Sequence, residues 1–142
     1  CGGSYGGYMT NWILGHTDRF KAGLTERCVS NLYSFYGTSD CGYEDHREFG
    51  AHAYEDPERY ARLSPITHVR NIRAPLLIIH SEGDLRCPIE QAEQLYGMLK
   101  GMKRDVEFLR FPEENHDLSR TGRPDRRLAR LEFILKWWEK HL

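Results

Sequence analysis

Ala74-Pro75-Leu76-Leu77-Ile78-Ile79-His80 is the stretch that decides the fold. A strand that is apolar without alternation is buried on both faces, and such strands belong to parallel sheets covered by helices on each side. The residues that follow agree. Ser81-Glu82-Gly83-Asp84 makes a turn at the strand's C-terminal end. Pro88 then opens a helix with Ile89, Ala92, Leu95, Tyr96 and Leu99 at helical spacing, and Gly101 ends it. Val106 to Phe111 (VEFLRF) alternates and is rich in β-formers, so it reads as a further strand, stopped by Pro112. A loop carrying His116 leads to a last helix begun by Pro124-Asp125. In that helix Leu128, Leu131, Leu135 and Trp138, widened by Ile134, form one stripe expected to lie against the sheet.

Upstream, Asp56-Pro57-Glu58 starts a short helix with Asp as N-cap, running to about Leu63. Glu44 to Gly50 is a charged run beside His46 and His52. Its spacing matches no metal-ligand motif such as H-E-x-x-H, so it reads as a solvated face and no metal is expected. Ser30 to Tyr43 is dense in aromatics, Ser and Gly and reads as a loop or short helix over a site. Tyr33, Phe35 and Tyr36 there either line an apolar pocket or belong to the core. Ala22 to Thr25 is a short strand, and Gly7 to Leu14 a helix ended by Gly15 and His16. Strands alternating with helices across short crossovers give an α/β fold with a doubly wound, mostly parallel sheet.

The 142 residues suffice for one domain, and 39% hydrophobic with 29% charged residues indicates a globular chain. A net charge of −1 gives no electrostatic case for nucleic acid or an anionic membrane. No apolar run approaches membrane-spanning length. Cys1, Cys28, Cys41 and Cys87 are scattered without a C-x-x-C pair, which suits reduced thiols and a cytoplasmic protein.

Gly2-Gly3-Ser4-Tyr5-Gly6-Gly7 has the form G-x-S-x-G. Serine is a poor nucleophile until a base takes its proton. A sharp strand-to-helix turn lifts the hydroxyl to where a base reaches it from one side and substrate from the other. Gly2 and Gly6 are expected to pass too close for a Cβ on either. The following helix aims its N-terminus at the site, placing the Tyr5 backbone N–H as an oxyanion donor. The motif alone fits a flexible loop equally well. What raises its weight is the order Ser…Asp…His downstream.

In open α/β sheets, sites lie beyond the C-terminal ends of the strands. Ser4, Asp84 and His116 all meet that condition. His116 would be the base and Asp84 the group that orients it. His80 is the rival base, but at a strand end four residues before Asp84 it reads as a buried supporting residue.

GGSYGGYMTNW (residues 2–12), GHTDRFKAG (15–23), SFYGTSD (34–40), IIHSEGDLRCPIEQAEQLY (78–96) and FPEENHDLSRTGRP (111–124) resemble the α/β-hydrolase catalytic domain of the prolyl oligopeptidase family, most of all its acylaminoacyl-peptidase-like branch. The resemblance implies a serine peptidase acting on short peptides without a cofactor, with Ser4 as nucleophile, Asp84 as acid and His116 as base. It also implies an upstream β-propeller, and it leaves room for a homo-oligomer of the full-length protein. The chain starts inside the motif without an initiator methionine, so residues 1–142 are expected to be the C-terminal half of the hydrolase domain. The first strands and a second oxyanion donor would then lie outside it, and the chain alone would be inactive or weakly active. A carboxylesterase on the same fold and a truncated non-catalytic module stay open at this stage.

Overall fold

The computed structural model describes residues 1–142. One sheet holds four parallel strands, β1 (Gly2–Gly3), β2 (Gly23–Glu26), β3 (Leu76–Ser81) and β4 (Val106–Phe111), in that order. Strands adjacent in sequence are adjacent in the sheet, so every connection is a crossover. Between β1 and β2 lies α1 (Tyr5–Leu14). Between β2 and β3 lie α2 (Leu32–Thr38), α3 (His46–Phe49), α4 (Pro57–Leu63) and a 3-10 segment, Pro65–Asn71. After β3 come α5 (Glu90–Gly101), then β4, α6 (Leu118–Thr121) and α7 (Pro124–His141).

All six residues of β3 are buried, as its unbroken apolar run predicts. Successive side chains face opposite sides. Leu76 and Ile78 pack with Leu14, Ile72, Leu95 and Leu99 on one face; Leu77 and Ile79 pack with Leu24, Phe111, Leu118 and Trp137 on the other. The sheet is therefore wound on both sides. A third cluster, including Val29, Leu32, Phe35, Tyr60 and Cys87, caps the ends where the strands leave the sheet.

The last helix docks on the sheet through only part of the expected stripe, Ile134 and Trp138. Leu128, Leu131 and Leu135 point outward, more than half exposed. Contact with the sheet runs through Ala129, Ile134, Trp137 and Trp138. The apolar arc of the helix is broad, and the contact is turned toward its large rings, Trp137 and Trp138. The Trp137 indole N–H also finds a partner there, donating to the Gly23 carbonyl at 3.0 Å. The aromatic stretch after Ser30 holds a true helix, α2, because the Asn31 side chain accepts from the N–H groups of Tyr33 and Ser34. No helix is long and apolar enough to cross a membrane.

Candidate active site

The chain passes from β1 into α1 through Ser4, which sits at φ 60° and ψ −122°. A non-glycine residue held there stores roughly 1–3 kcal/mol of strain and persists only where its surroundings fix it. Here the Ser4 N–H donates to the Glu26 carbonyl at 3.0 Å, and Ser4's own carbonyl accepts from the Tyr8 N–H at 2.9 Å. A Cβ on Gly2 would lie 2.5 Å from the Gly6 oxygen, and one on Gly7 would lie 2.7 Å from the Glu26 oxygen. A Cβ on Gly6 would meet nothing within 4 Å. The close approach expected of Gly2 and Gly6 is thus one-sided: the helix backbone crowds Gly2, while the outer face of Gly6 is open. Gly7, where α1 presses on β2, is the second tight position.

Three turns converge on Ser4. Asp84 follows β3 and is buried, and His116 follows β4. The His116 Nδ1–H donates to Asp84 Oδ2 at 2.8 Å. Nε2 is then left to accept from the Ser4 hydroxyl, 3.0 Å away. The Asp84 turn and the His116 loop are tied by the Gly83 N–H, which donates to the Glu114 carbonyl at 2.9 Å. A side chain at Gly83 would come within 2.9 Å of that oxygen, so the two loops could not close so tightly. The other Asp84 oxygen accepts the Cys87 N–H at 2.8 Å. His80 is buried behind this turn, its Nε2 3.6 Å from Asp84 Oδ2, and does not reach Ser4 as a rival base. Tyr5 is the first residue of α1, directly after Ser4, so its N–H lacks an intrahelical acceptor.

A cavity of about 290 Å³ opens next to Ser4, walled by Tyr8, Val29, Leu32, Phe35 and Phe49. Of the three aromatics assigned to a pocket, Phe35 lines it. Tyr33 and Tyr36 do not. Tyr33 is half exposed on the outer side of α2, and the Tyr36 hydroxyl pairs with His52 Nδ1 at 2.8 Å while its ring packs on Tyr60. Helical spacing decides this, since residues 33 and 36 turn away when 32 and 35 face inward. Asp45 and Glu48 also line the cavity, although their charged stretch reads as a solvated face. Burial, and then the neighbouring Glu48 carboxylate, pushes the Asp45 carboxyl up to about 6. Only the local fold, a 3-10 turn at Gly42–Asp45 running into α3, reveals that they point this way.

Beneath the site lies a charged layer with no trace in sequence spacing. Glu26, buried at the end of β2, accepts a two-pronged pair from Arg130 of α7, at 2.9 Å from Nε and 2.6 Å from Nη2. Arg27 turns through φ 36° and donates to Ser119 of α6 at 2.9 Å, linking β2 to the helix after His116.

The sequence model of the Prolyl oligopeptidase family matches residues 1–142. The chain is 50% identical to the uncharacterized peptidase YuxL of Bacillus subtilis and 32% identical to the acylamino-acid-releasing enzyme of Arabidopsis thaliana, covering 99% of this chain in both cases. It spans about a fifth of the length of these relatives, 22% and 19% respectively. The acylaminoacyl peptidase of Pyrococcus horikoshii superposes with a TM-score of 0.93 at 37% identity, over 98% of this chain and 23% of that one.

Proposed function

The chain belongs to the prolyl oligopeptidase family, and on that premise we propose that it carries the catalytic residues of a serine peptidase that cleaves short peptides through an acyl-enzyme. The observation that carries the reading is the unbroken hydrogen-bonded line from Asp84 through His116 to the Ser4 hydroxyl.

Each step uses a group already in place. As the Ser4 oxygen attacks the scissile carbonyl, its proton passes to His116 Nε2. Asp84, buried and held by the Cys87 N–H, stabilises the imidazolium through Nδ1. The carbonyl oxygen becomes an oxyanion facing the Tyr5 N–H. His116 then returns the proton to the leaving amine and the acyl-serine forms. Water, deprotonated by His116, releases the acid and restores Ser4. The cavity beside Ser4 receives the side chain on the acyl side of the bond. No step calls for a metal or an organic cofactor.

Residues 1–142 form the C-terminal part of the hydrolase domain in this reading, with further strands and a β-propeller upstream. A second oxyanion donor would come from those strands, and losing one such donor costs about 100- to 1000-fold in rate. The chain alone is therefore inactive or weakly active. The test is hydrolysis of blocked peptides and matched esters by the full-length parent and its Ser4→Ala variant. Loss of peptide hydrolysis in the variant is expected. Retained hydrolysis would overturn the reading, and cleavage of esters alone would assign a carboxylesterase instead.

A further inference from the structure

The His80 ring has no exposed surface, and it is the last residue but one of β3, an inner strand of the parallel sheet, directly after the apolar Leu77, Ile78 and Ile79. A polar ring in such a place costs stability unless its nitrogens are used. Nε2–H donates to the Cys87 carbonyl at 2.7 Å. The Cys87 carbonyl precedes α5 and takes its hydrogen bond from His80. The N–H of the same Cys87 residue donates to Asp84 Oδ1. Cys87 is thus held on one side by Asp84 and on the other by His80, so the ring fixes the orientation of the turn that presents Asp84 to His116.

The other nitrogen, Nδ1, is buried without a hydrogen bond of ordinary geometry. The group facing the ring is the thiol of Cys28, itself fully buried. Burial opposes a charge on His80, but the Cys28 thiol and the Cys87 carbonyl outweigh it and raise the ring's basicity. Cys28 also abuts α1, since a Cβ on Gly7 would lie 2.9 Å from the Cys28 Cβ. The contacts close a ring: α1, Cys28, His80, Cys87, Asp84, His116, and back to Ser4 at the start of α1.

We propose that His80, seated by Cys28, is a positioning residue that sets the angle of Asp84 toward His116 through the Cys87 carbonyl. This rests on the reading that Asp84 serves His116 in peptide hydrolysis. A purely space-filling histidine would be replaced well by leucine; a positioning one needs a donor at Nε2.

The experiment compares His80→Leu, His80→Gln and Cys28→Ala with the unaltered full-length parent. Three readouts are taken: kcat and KM for a blocked peptide, thermal unfolding, and the low-field proton resonance of the His116 Nδ1–H on Asp84. The expected result for His80→Leu is kcat about 10- to 100-fold lower with KM within about twofold, and an upfield shift or loss of the resonance. His80→Gln, whose amide can donate to the Cys87 carbonyl, recovers most of both. Cys28→Ala gives a smaller change in the same direction. Unchanged kcat and an unmoved resonance in His80→Leu would overturn the proposal. So would a loss that glutamine does not relieve and that tracks only a fall in Tm. If His80→Leu does not fold, His80→Gln and Cys28→Ala decide: the proposal falls if glutamine fails to hold the resonance or if Cys28→Ala leaves it untouched. An inactive parent with the resonance present would overturn the peptidase reading, while the resonance arm would still decide the role of His80.

Discussion

Replacing Gly2 by alanine puts a methyl carbon 2.5 Å from the Gly6 oxygen and 2.6 Å from its carbonyl carbon. Both are backbone atoms, so no rotamer change relieves the clash. Ordinary contact begins at 3.4 Å, and the strand and the helix on either side of Ser4 must part by close to an ångström. Overpacking of that kind costs about 1–3 kcal/mol. The larger effect is on chemistry, because Ser4 lies within the displaced segment and its hydroxyl is 3.0 Å from His116 Nε2. A shift of about 1 Å at a reacting group lowers rates by roughly 100-fold. Gly3→Ala is milder, since its Cβ meets the Arg27 guanidinium at 3.0 Å, the far end of a side chain that can move. Gly6→Ala meets nothing within 4 Å and exchanges glycine for a better helix former, a gain of up to about 1 kcal/mol. Rates of fluorophosphonate labelling and thermal unfolding of the three variants in the full-length parent give the order. Gly2→Ala should be slowest by far and Gly3→Ala closer to the unaltered rate. A Gly3→Ala variant as impaired as Gly2→Ala would refute the reasoning from contacts.

The ion pair beneath the site predicts that Arg130→Met, which leaves the buried Glu26 carboxylate only its 3.9 Å contact with Arg27, lowers stability by about 3 kcal/mol, while adding Glu26→Gln recovers most of it. Thermal unfolding of the single and double variants checks this, and a double variant no better than Arg130→Met would contradict it. Asp45 has a folded-state pKa of about 6 against an ordinary 3.8, so its ionisation weakens the fold as pH rises through that window. Asp45→Asn should therefore raise stability at pH 7–8 by about 1 kcal/mol, after allowance for solvent screening, and change nothing below pH 4. Unfolding curves across pH 4–8 test the sign; a gain confined to acid pH would contradict it. The cavity wall carries Asp45 and Glu48 against one cation, Arg86, whose guanidinium is already paired with Asp40, so peptides bearing Asp or Glu on the acyl side should be cleaved about 10-fold more slowly than those bearing Leu or Phe, and Glu48→Gln should narrow the gap. Equal rates would remove the cavity from the specificity argument.

The strand Leu76–Ser81 was legible because an unbroken apolar run at strand length has few other uses. Asp84 and His116 were legible because parallel topology sends the ends of β3 and β4 to one edge. Where two solutions were locally equal, the sequence could not choose. The last helix is apolar over a broad arc, and its contact is turned toward Trp137, whose indole N–H donates to the Gly23 carbonyl. Tyr33, Phe35 and Tyr36 are alike in composition, and the phase of α2, set by its Asn31 cap, turns Phe35 alone into the cavity. Glu26 and Arg130 are 104 residues apart, and no periodicity links them. The same holds for the inward turn of Asp45 and Glu48, which depends on how a short 3-10 segment folds back over α2.

The central claim, that Ser4 is a nucleophile activated by His116 and Asp84, is tested most directly by fluorophosphonate labelling, with the modified residue located by mass spectrometry. The 142-residue chain and its full-length parent are each compared with a Ser4→Ala control. The account predicts an adduct on Ser4 in the parent, none in the control, and little or none in the chain alone. An unlabelled parent, or an adduct that survives Ser4→Ala, would contradict it.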